Sequence, residues 1–103
     1  MTQARFAVTG PSTGHPPLVV VSGDIDLANV EEFQNAMAKA CNGSSALQVD
    51  LTGVSYCDSA AVRALFALAA TTQLTMFVRP NGHITTLIAI SGLDRVAAVI
   101  RKE

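Results

Sequence analysis

Hydrophobic and polar positions along the chain follow two different periods. In the segment 46–53, apolar Leu47, Val49 and Leu51 alternate with polar residues. A period of two predicts a strand with one buried face and one wetter face. In the segment 27–41, apolar residues recur at helical spacing, which predicts an amphipathic helix. Asp26 is its predicted N-cap, and Gly43 is its predicted C-terminal stop.

The remaining segments also alternate between predicted strands and predicted helices. The pattern predicts strands at about 6–9, 18–23 and 74–78, and helices over about 59–71 and around 84–88, the latter closed by Gly92. The segment 96–100 fits a strand or a helical face, and we favour a strand because crossover helices imply an α/β sheet. The predicted fold is one α/β domain over residues 1–103. It has a four- to five-stranded mixed sheet with crossover helices packed mainly on one face.

Acidic residues follow two of the predicted strands. Asp24 and Asp26 come after the second strand, and Asp58 with Ser59 comes after the third. Open α/β sheets place their working surface at the carboxyl ends of their strands. If these two strands are neighbours, the four residues share one rim.

The pair Asp58-Ser59 has two interpretations. In one, it is only a helix cap, because side-chain oxygens there accept hydrogen bonds from unpaired backbone N–H groups. In the other, the Ser59 hydroxyl is exposed and accepts a phosphoryl group, which would add close to two negative charges beside Asp58. Such a change would act as a switch against an outside partner.

The helix that follows Ser59 carries small residues on its predicted outer face. Its sheet-facing positions are predicted to be Val62, Leu65, Phe66 and Ala69. The outer face is predicted to hold Ala60, Ala64, Ala67 and Thr71, flanked by Ala61 and Leu68. Arg63 is the only charged residue in this helix. A smooth face lets a partner protein approach closely, so Ala64→Arg is expected to block binding without unfolding the domain. The alternative is that alanine is simply a good helix former.

Composition and charge exclude several classes of function. The 103 residues carry seven basic and eight acidic side chains without a basic cluster, so a nucleic-acid partner is not expected. No apolar run approaches the length of a membrane span and no signal peptide is recognised, so the expected location is the cytoplasm. No cofactor or metal is expected, since His15 and His83 are far apart. Cys41 and Cys57 are expected to be separate, buried and inert.

Three stretches of the sequence resemble a known family. "VVVSGDIDLANVEEF", "LQVDLTGVSYCDSAAVRAL" and "ISGLDRV" are similar to successive signatures of the STAS domain, and specifically of bacterial anti-sigma-factor antagonists. The resemblance covers about residues 6–100. It implies a cytosolic protein without enzymatic activity that binds an anti-sigma-factor serine kinase and thereby frees a sigma factor.

The resemblance also implies roles for individual residues. Ser59 would be phosphorylated by the kinase, which releases the complex, and Asp24, Asp26 and Asp58 would lie at the binding rim. Two features depart from the family pattern. Ala60 and Ala61 stand where a second serine and a glycine are common, and the chain stops at Glu103, where a further C-terminal helix is usual.

Two other functions remain open at this point. A receiver-like phosphoacceptor would hold Mg²⁺ on Asp24 and Asp26 and take the phosphoryl group on Asp50, with Lys102 as its only candidate lysine. A STAS domain can also be an accessory subunit of a transport complex, which keeps the fold and changes the partner.

Overall fold

The computed structural model describes residues 4–10 and 14–102. Residues 11–13 of the predicted loop between the first two strands lie outside the described residues. The elements in chain order are β1 (Arg5–Thr9), β2 (Leu18–Ile25), α1 (Val30–Cys41), β3 (Ala46–Cys57), α2 (Ser59–Ala69), β4 (Gln73–Val78), α3 (His83–Ser91), a 3₁₀ turn (Leu93–Arg95) and β5 (Ala98–Arg101).

The five strands form one mixed sheet in the order β1-β2-β3-β4-β5. β1 pairs antiparallel with β2, and the other pairs are parallel. Because β2 to β5 follow one another across the sheet, right-handed crossovers place α1, α2 and α3 on the same face. The core cluster includes side chains from all three helices, such as Phe33, Leu65 and Ile88. The predicted α/β fold with helices on one face is confirmed.

The opposite face of the sheet carries both apolar and charged side chains. Val20, Asp50, Phe77 and Ile100 form one row across it by register. Phe77 is buried on this face, and the Lys102 ammonium lies 4.1 Å from the centre of its ring. The alternation predicted for β3 holds, since Leu47, Val49 and Leu51 are buried whereas the residues between them are only half-buried.

The C-terminal part of the chain also follows the prediction. The last apolar segment is a strand, although it begins at Ala98 rather than at residue 96. The stop predicted after the third helix is Gly92, whose φ of 81° is available to glycine at little steric cost. The 3₁₀ turn that follows buries Leu93 completely.

The start of α1 differs from the prediction. The helix begins at Val30 and its N-cap is Asn29, so Asp26 is not the cap. An Oδ1 atom of Asp26 instead accepts a hydrogen bond from the N–H of Ala28 at 3.0 Å, which forms a turn before the helix. The helix ends at Cys41, and its C-cap is Asn42 in the left-handed region, one residue before the predicted stop at Gly43.

The end of β2 also differs from the prediction. The strand continues to Ile25, so Asp24 lies within it rather than after it. Gly23 has a φ of 88°, and the register with β3 is irregular between Gly23 and Asp24. This irregularity shifts the last residues of β2 so that Asp24 pairs with Tyr56.

Candidate functional site

The carboxyl ends of β2 and β3 are joined at one edge of the sheet. Ile25 pairs with Cys57 by register, and the N–H of Asp58 donates to the carbonyl of Ile25 at 3.2 Å. Asp24, Asp26, Asp58 and Ser59 therefore lie together at this edge, which we call the acidic rim. The structure thus brings together the four residues that the sequence assigned to it.

The carboxylate of Asp58 binds two segments at once. Its Oδ1 accepts hydrogen bonds from the N–H groups of Ala60 at 3.0 Å and Ala61 at 3.4 Å. Its Oδ2 accepts one from the N–H of Leu27 at 3.1 Å. The predicted helix cap is confirmed, and the same side chain also ties the β2–α1 loop (residues 26–29) to the start of α2.

Ser59 is the first residue of α2 and is exposed. Its position places the hydroxyl at a helix N-terminus, where the backbone dipole favours negative charge. The capping oxygen belongs to Asp58, so the cap does not depend on the serine hydroxyl. The structure therefore confirms the cap, whereas phosphorylation of Ser59 stays a prediction. The two roles are compatible, because Asp58 caps the helix and Ser59 is exposed.

The outer face of α2 is smaller than predicted. Ala64 is only 3% exposed and Ala61 is completely buried, so neither lies on an open face. The reason is that α2 packs against α1 as well as against the sheet. Ala67 is exposed, and Ala60 and Leu68 are half-buried. Ala64 instead lines a groove of about 260 Å³ between the two helices, together with Gln34, Met37, Ala38, Ala67, Leu68 and Thr71.

Sequence reasoning missed two apolar contributors near the rim. Leu27 was assigned to a helix, but it lies in the β2–α1 loop and is 78% exposed. Tyr56 is 48% exposed, and its ring stacks on His83 with centroids 5.6 Å apart. The placement of Leu27 between Asp26 and Asn29, two residue types that favour turns, was the available signal.

The two cysteines have different surroundings. Cys57 is buried, and this desolvation, with the nearby charge of Asp58, raises the pKa of its thiol to about 11. Cys41 is only partly buried, so the expectation that both are buried is wrong for this residue. Its thiol contacts the carbonyl oxygen of Ser44 at 3.1 Å.

The carboxylates needed for a receiver-like magnesium site lie apart. Asp24 pairs with Tyr56, whereas Asp50 precedes Tyr56 by six residues on β3, which corresponds to about 20 Å along a strand. Oδ1 of Asp50 accepts hydrogen bonds from the N–H and the hydroxyl of Thr52 at 2.9 and 2.6 Å. Within residues 4–10 and 14–102, no group of three or more His, Cys, Asp or Glu side chains is arranged to hold a metal ion.

No helix in the described ranges is long and apolar enough to cross a membrane.

Comparison with solved structures identifies the fold. An anti-sigma factor antagonist from Mycobacterium paratuberculosis superposes with a TM-score of 0.83 at 22% identity, covering 97% of this chain and 87% of that chain. A putative anti-sigma factor antagonist from Thermotoga maritima gives 0.74 at 13% identity, covering 94% and 86%. The anti-sigma factor antagonist SpoIIAA in its unphosphorylated form gives 0.58 at 15% identity, covering 89% and 97%. The chain has the fold of these proteins.

The sequence itself identifies the family. A family model described as "Mlab, STAS domain" matches residues 8–101. The chain therefore belongs to the STAS domain family, as its resemblance to that family implied. No match is found among curated proteins.

Proposed function

We propose that this protein is an anti-sigma-factor antagonist that binds an anti-sigma-factor serine kinase and is released when Ser59 is phosphorylated. The observation that carries the proposal is the exposed Ser59 at the N-terminus of α2, directly after the capping residue Asp58. The similar solved structures support this role, since two of them are named as anti-sigma factor antagonists and one as a putative antagonist. The protein acts by binding and not by catalysis.

The proposed contact surface combines the acidic rim with the exposed part of α2. Asp24, Asp26 and Asp58 supply negative charge that steers a basic partner. Ala60, Ala67 and Leu68 supply the small and apolar side chains of α2 that a partner can cover. Ala64 lies beneath this surface at the floor of the groove, so it supports the contact without forming its outer layer.

Phosphorylation acts on this surface through charge and desolvation. A phosphoserine brings about −1.5 to −2 charges to a site that already holds three carboxylates. Covering these charges with a partner costs free energy unless the partner pairs each of them. The domain itself tolerates the charge, because the N-terminus of α2 favours an anion. Release therefore does not require unfolding.

Incubation with purified anti-sigma-factor kinases of the source organism and ATP tests the proposal, with peptide mass spectrometry as the readout. Phosphate is expected at Ser59. Ser59→Ala is expected to remain unmodified and bound, and Ser59→Asp is expected to bind poorly. Phosphate at the exposed Ser55 instead would contradict the assignment. Binding to a subunit of a transport complex, with no binding to any anti-sigma factor, would show that the protein is an accessory transport subunit.

A further inference from the structure

Two leucine or isoleucine side chains in the described ranges are exceptionally exposed. Leu27 and Ile90 are each 78% exposed. Ile90 lies on α3, away from the acidic rim, whereas Leu27 lies in the middle of it. Because each side chain buries little of its apolar surface within the free domain, a partner that covers it gains the free energy of that burial, and only Leu27 lies where the proposed partner binds.

The loop that carries Leu27 is held by hydrogen bonds along its whole length. Each backbone N–H from Asp26 to Asn29 donates a hydrogen bond. The acceptors are Asn29 Oδ1 at 2.9 Å, Asp58 Oδ2 at 3.1 Å, Asp26 Oδ1 at 3.0 Å and the Asp26 carbonyl at 3.1 Å. The Asn29 amide also donates to the carbonyl of Asp24 at 2.8 Å. Leu27 is thus presented on an ordered backbone, which lowers the entropy cost of burying it against a partner.

The surroundings of Leu27 define the chemistry of that partner. Asp26 and Asp58 hold the loop on either side, and Glu31 and Glu32 lie in the first turn of α1 that follows. A surface with one apolar projection among carboxylates is complementary to an apolar pocket bordered by lysine or arginine side chains.

We infer that Leu27 is the apolar anchor of the partner interface, inserting into a pocket of the anti-sigma factor that basic side chains border, and that Asp58 is its positioning residue. This inference rests on the proposed function, because it takes the anti-sigma factor as the partner. It adds the residue that supplies binding energy and a physical link between the phosphorylation site and that residue.

The link runs through the carboxylate of Asp58. One oxygen accepts hydrogen bonds from the N–H groups of Ala60 and Ala61, which directly follow Ser59, and the other accepts one from the N–H of Leu27. Asp58→Asn keeps one acceptor oxygen for the cap and replaces the other with an NH₂ group, which cannot accept a hydrogen bond. The amide hydrogen of Leu27 is expected to exchange faster in this variant, while the Ala60 amide stays protected. If Asp58 acted only as the helix cap, Asp58→Asn would leave both the exchange rate of the Leu27 amide and the affinity for the partner unchanged.

The anchor is tested with Leu27→Ser and its matched control Ile90→Ser. Both variants replace an equally exposed apolar side chain, so both are expected to stay folded, as judged by thermal melting followed by circular dichroism. Calorimetric titration against the purified anti-sigma factors of the source organism gives the affinities. Leu27→Ser is expected to weaken binding at least about tenfold, as a truncated interface hot spot does, and Ile90→Ser is expected to bind like the wild type.

The outcomes separate the anchor from the proposed function. If the wild type binds, Ser59→Asp binds poorly and Leu27→Ser binds like the wild type, the anchor is wrong and the function stands. Equal weakening by Leu27→Ser and Ile90→Ser also overturns the anchor. If the wild type binds none of the anti-sigma factors, both proposals fail.

Discussion

The side chain of Asp58 stabilises two segments of the chain that are far apart in sequence. Its carboxylate accepts three backbone hydrogen bonds, two from α2 and one from the β2–α1 loop. The position thus serves the fold as well as the proposed binding surface. A sequence pattern can indicate the cap, because Asp before a helical segment is a local signal. It does not indicate the bond to Leu27, which is 31 residues away in the chain.

Asp58→Ala is expected to lower the free energy of unfolding by about 1–2 kcal/mol, because the N-cap of α2 is lost. Urea denaturation followed by circular dichroism measures the change. Asp24→Ala is the control, since it removes the same charge from the same edge. Asp24 contributes its backbone carbonyl, not its carboxylate, to the rim hydrogen bonds, so a change within about 0.5 kcal/mol is expected. Equal losses in both variants would contradict the capping argument.

The two thiols are expected to react at different rates. Burial and the charge of Asp58 raise the pKa of Cys57, so very little of it is thiolate at pH 8, whereas Cys41 is partly accessible. Iodoacetamide at pH 8 should label Cys41 first, as measured by mass spectrometry of the intact protein and of Cys41→Ala. Faster labelling of Cys57 would contradict its burial.

The same pKa shift has a consequence for stability. Folded Cys57 retains its proton up to about pH 11, whereas the ordinary value is 9.0. Its contribution to stability is therefore complete below pH 9 and is lost as the pH rises towards 11. Between pH 9 and pH 11, the melting temperature of the wild type should therefore fall further than that of Cys57→Ala.

At the scale of whole elements, the sequence pattern predicted the five strands and three α-helices of the described residues in order, although the last strand was chosen over a helix because crossover helices imply an α/β sheet and not because of its period. Periodic patterns arise when one side of an element is buried and the other is not, and packing the helices on one face of the sheet produces this arrangement. The errors occur where an element has a second neighbour or an unusual backbone. Asp24 was placed after β2 because the irregularity at Gly23 has no periodic signature. Ala64 was placed on an open face because nothing in the sequence of α2 shows that α1 packs beside it.

The buried and the exposed positions of α2 can be distinguished by introducing an arginine at one position of each kind. Ala64→Arg is expected to lower the free energy of unfolding by about 2 kcal/mol or more, because a long charged side chain has no room beside α1. Ala67→Arg is the matched control: its position is exposed at the edge of the same groove, so stability should stay within about 0.5 kcal/mol. Ala67→Arg is nevertheless expected to weaken binding to the anti-sigma factor, as calorimetric titration would show. If Ala64→Arg is as stable as the wild type, the packing of α1 on α2 is looser than described.

Across the whole molecule, charge is distributed unevenly although the net charge is only −1. Asp24, Asp26, Glu31, Glu32 and Asp58 lie around the ends of β2 and β3 and the start of α1. Arg79, Arg101 and Lys102 lie at the carboxyl ends of β4 and β5. One edge of the sheet therefore has an acidic half and a basic half. Composition alone does not indicate this, because residues that are far apart in the chain form each half.

This distribution predicts that steering depends on where a charge is placed and not on how many charges there are. Glu31→Lys and Asp94→Lys change the net charge equally, and both positions are exposed, but only Glu31 borders the acidic rim. Because charges at the rim of an interface act mainly on the association rate, Glu31→Lys should slow association with a basic anti-sigma factor several-fold at low salt. Asp94→Lys should leave that rate nearly unchanged. Stopped-flow mixing at two salt concentrations checks this, and the difference should vanish near 1 M salt, where screening acts within about 3 Å. Equal slowing by both variants would mean that net charge, and not the acidic rim, guides the encounter.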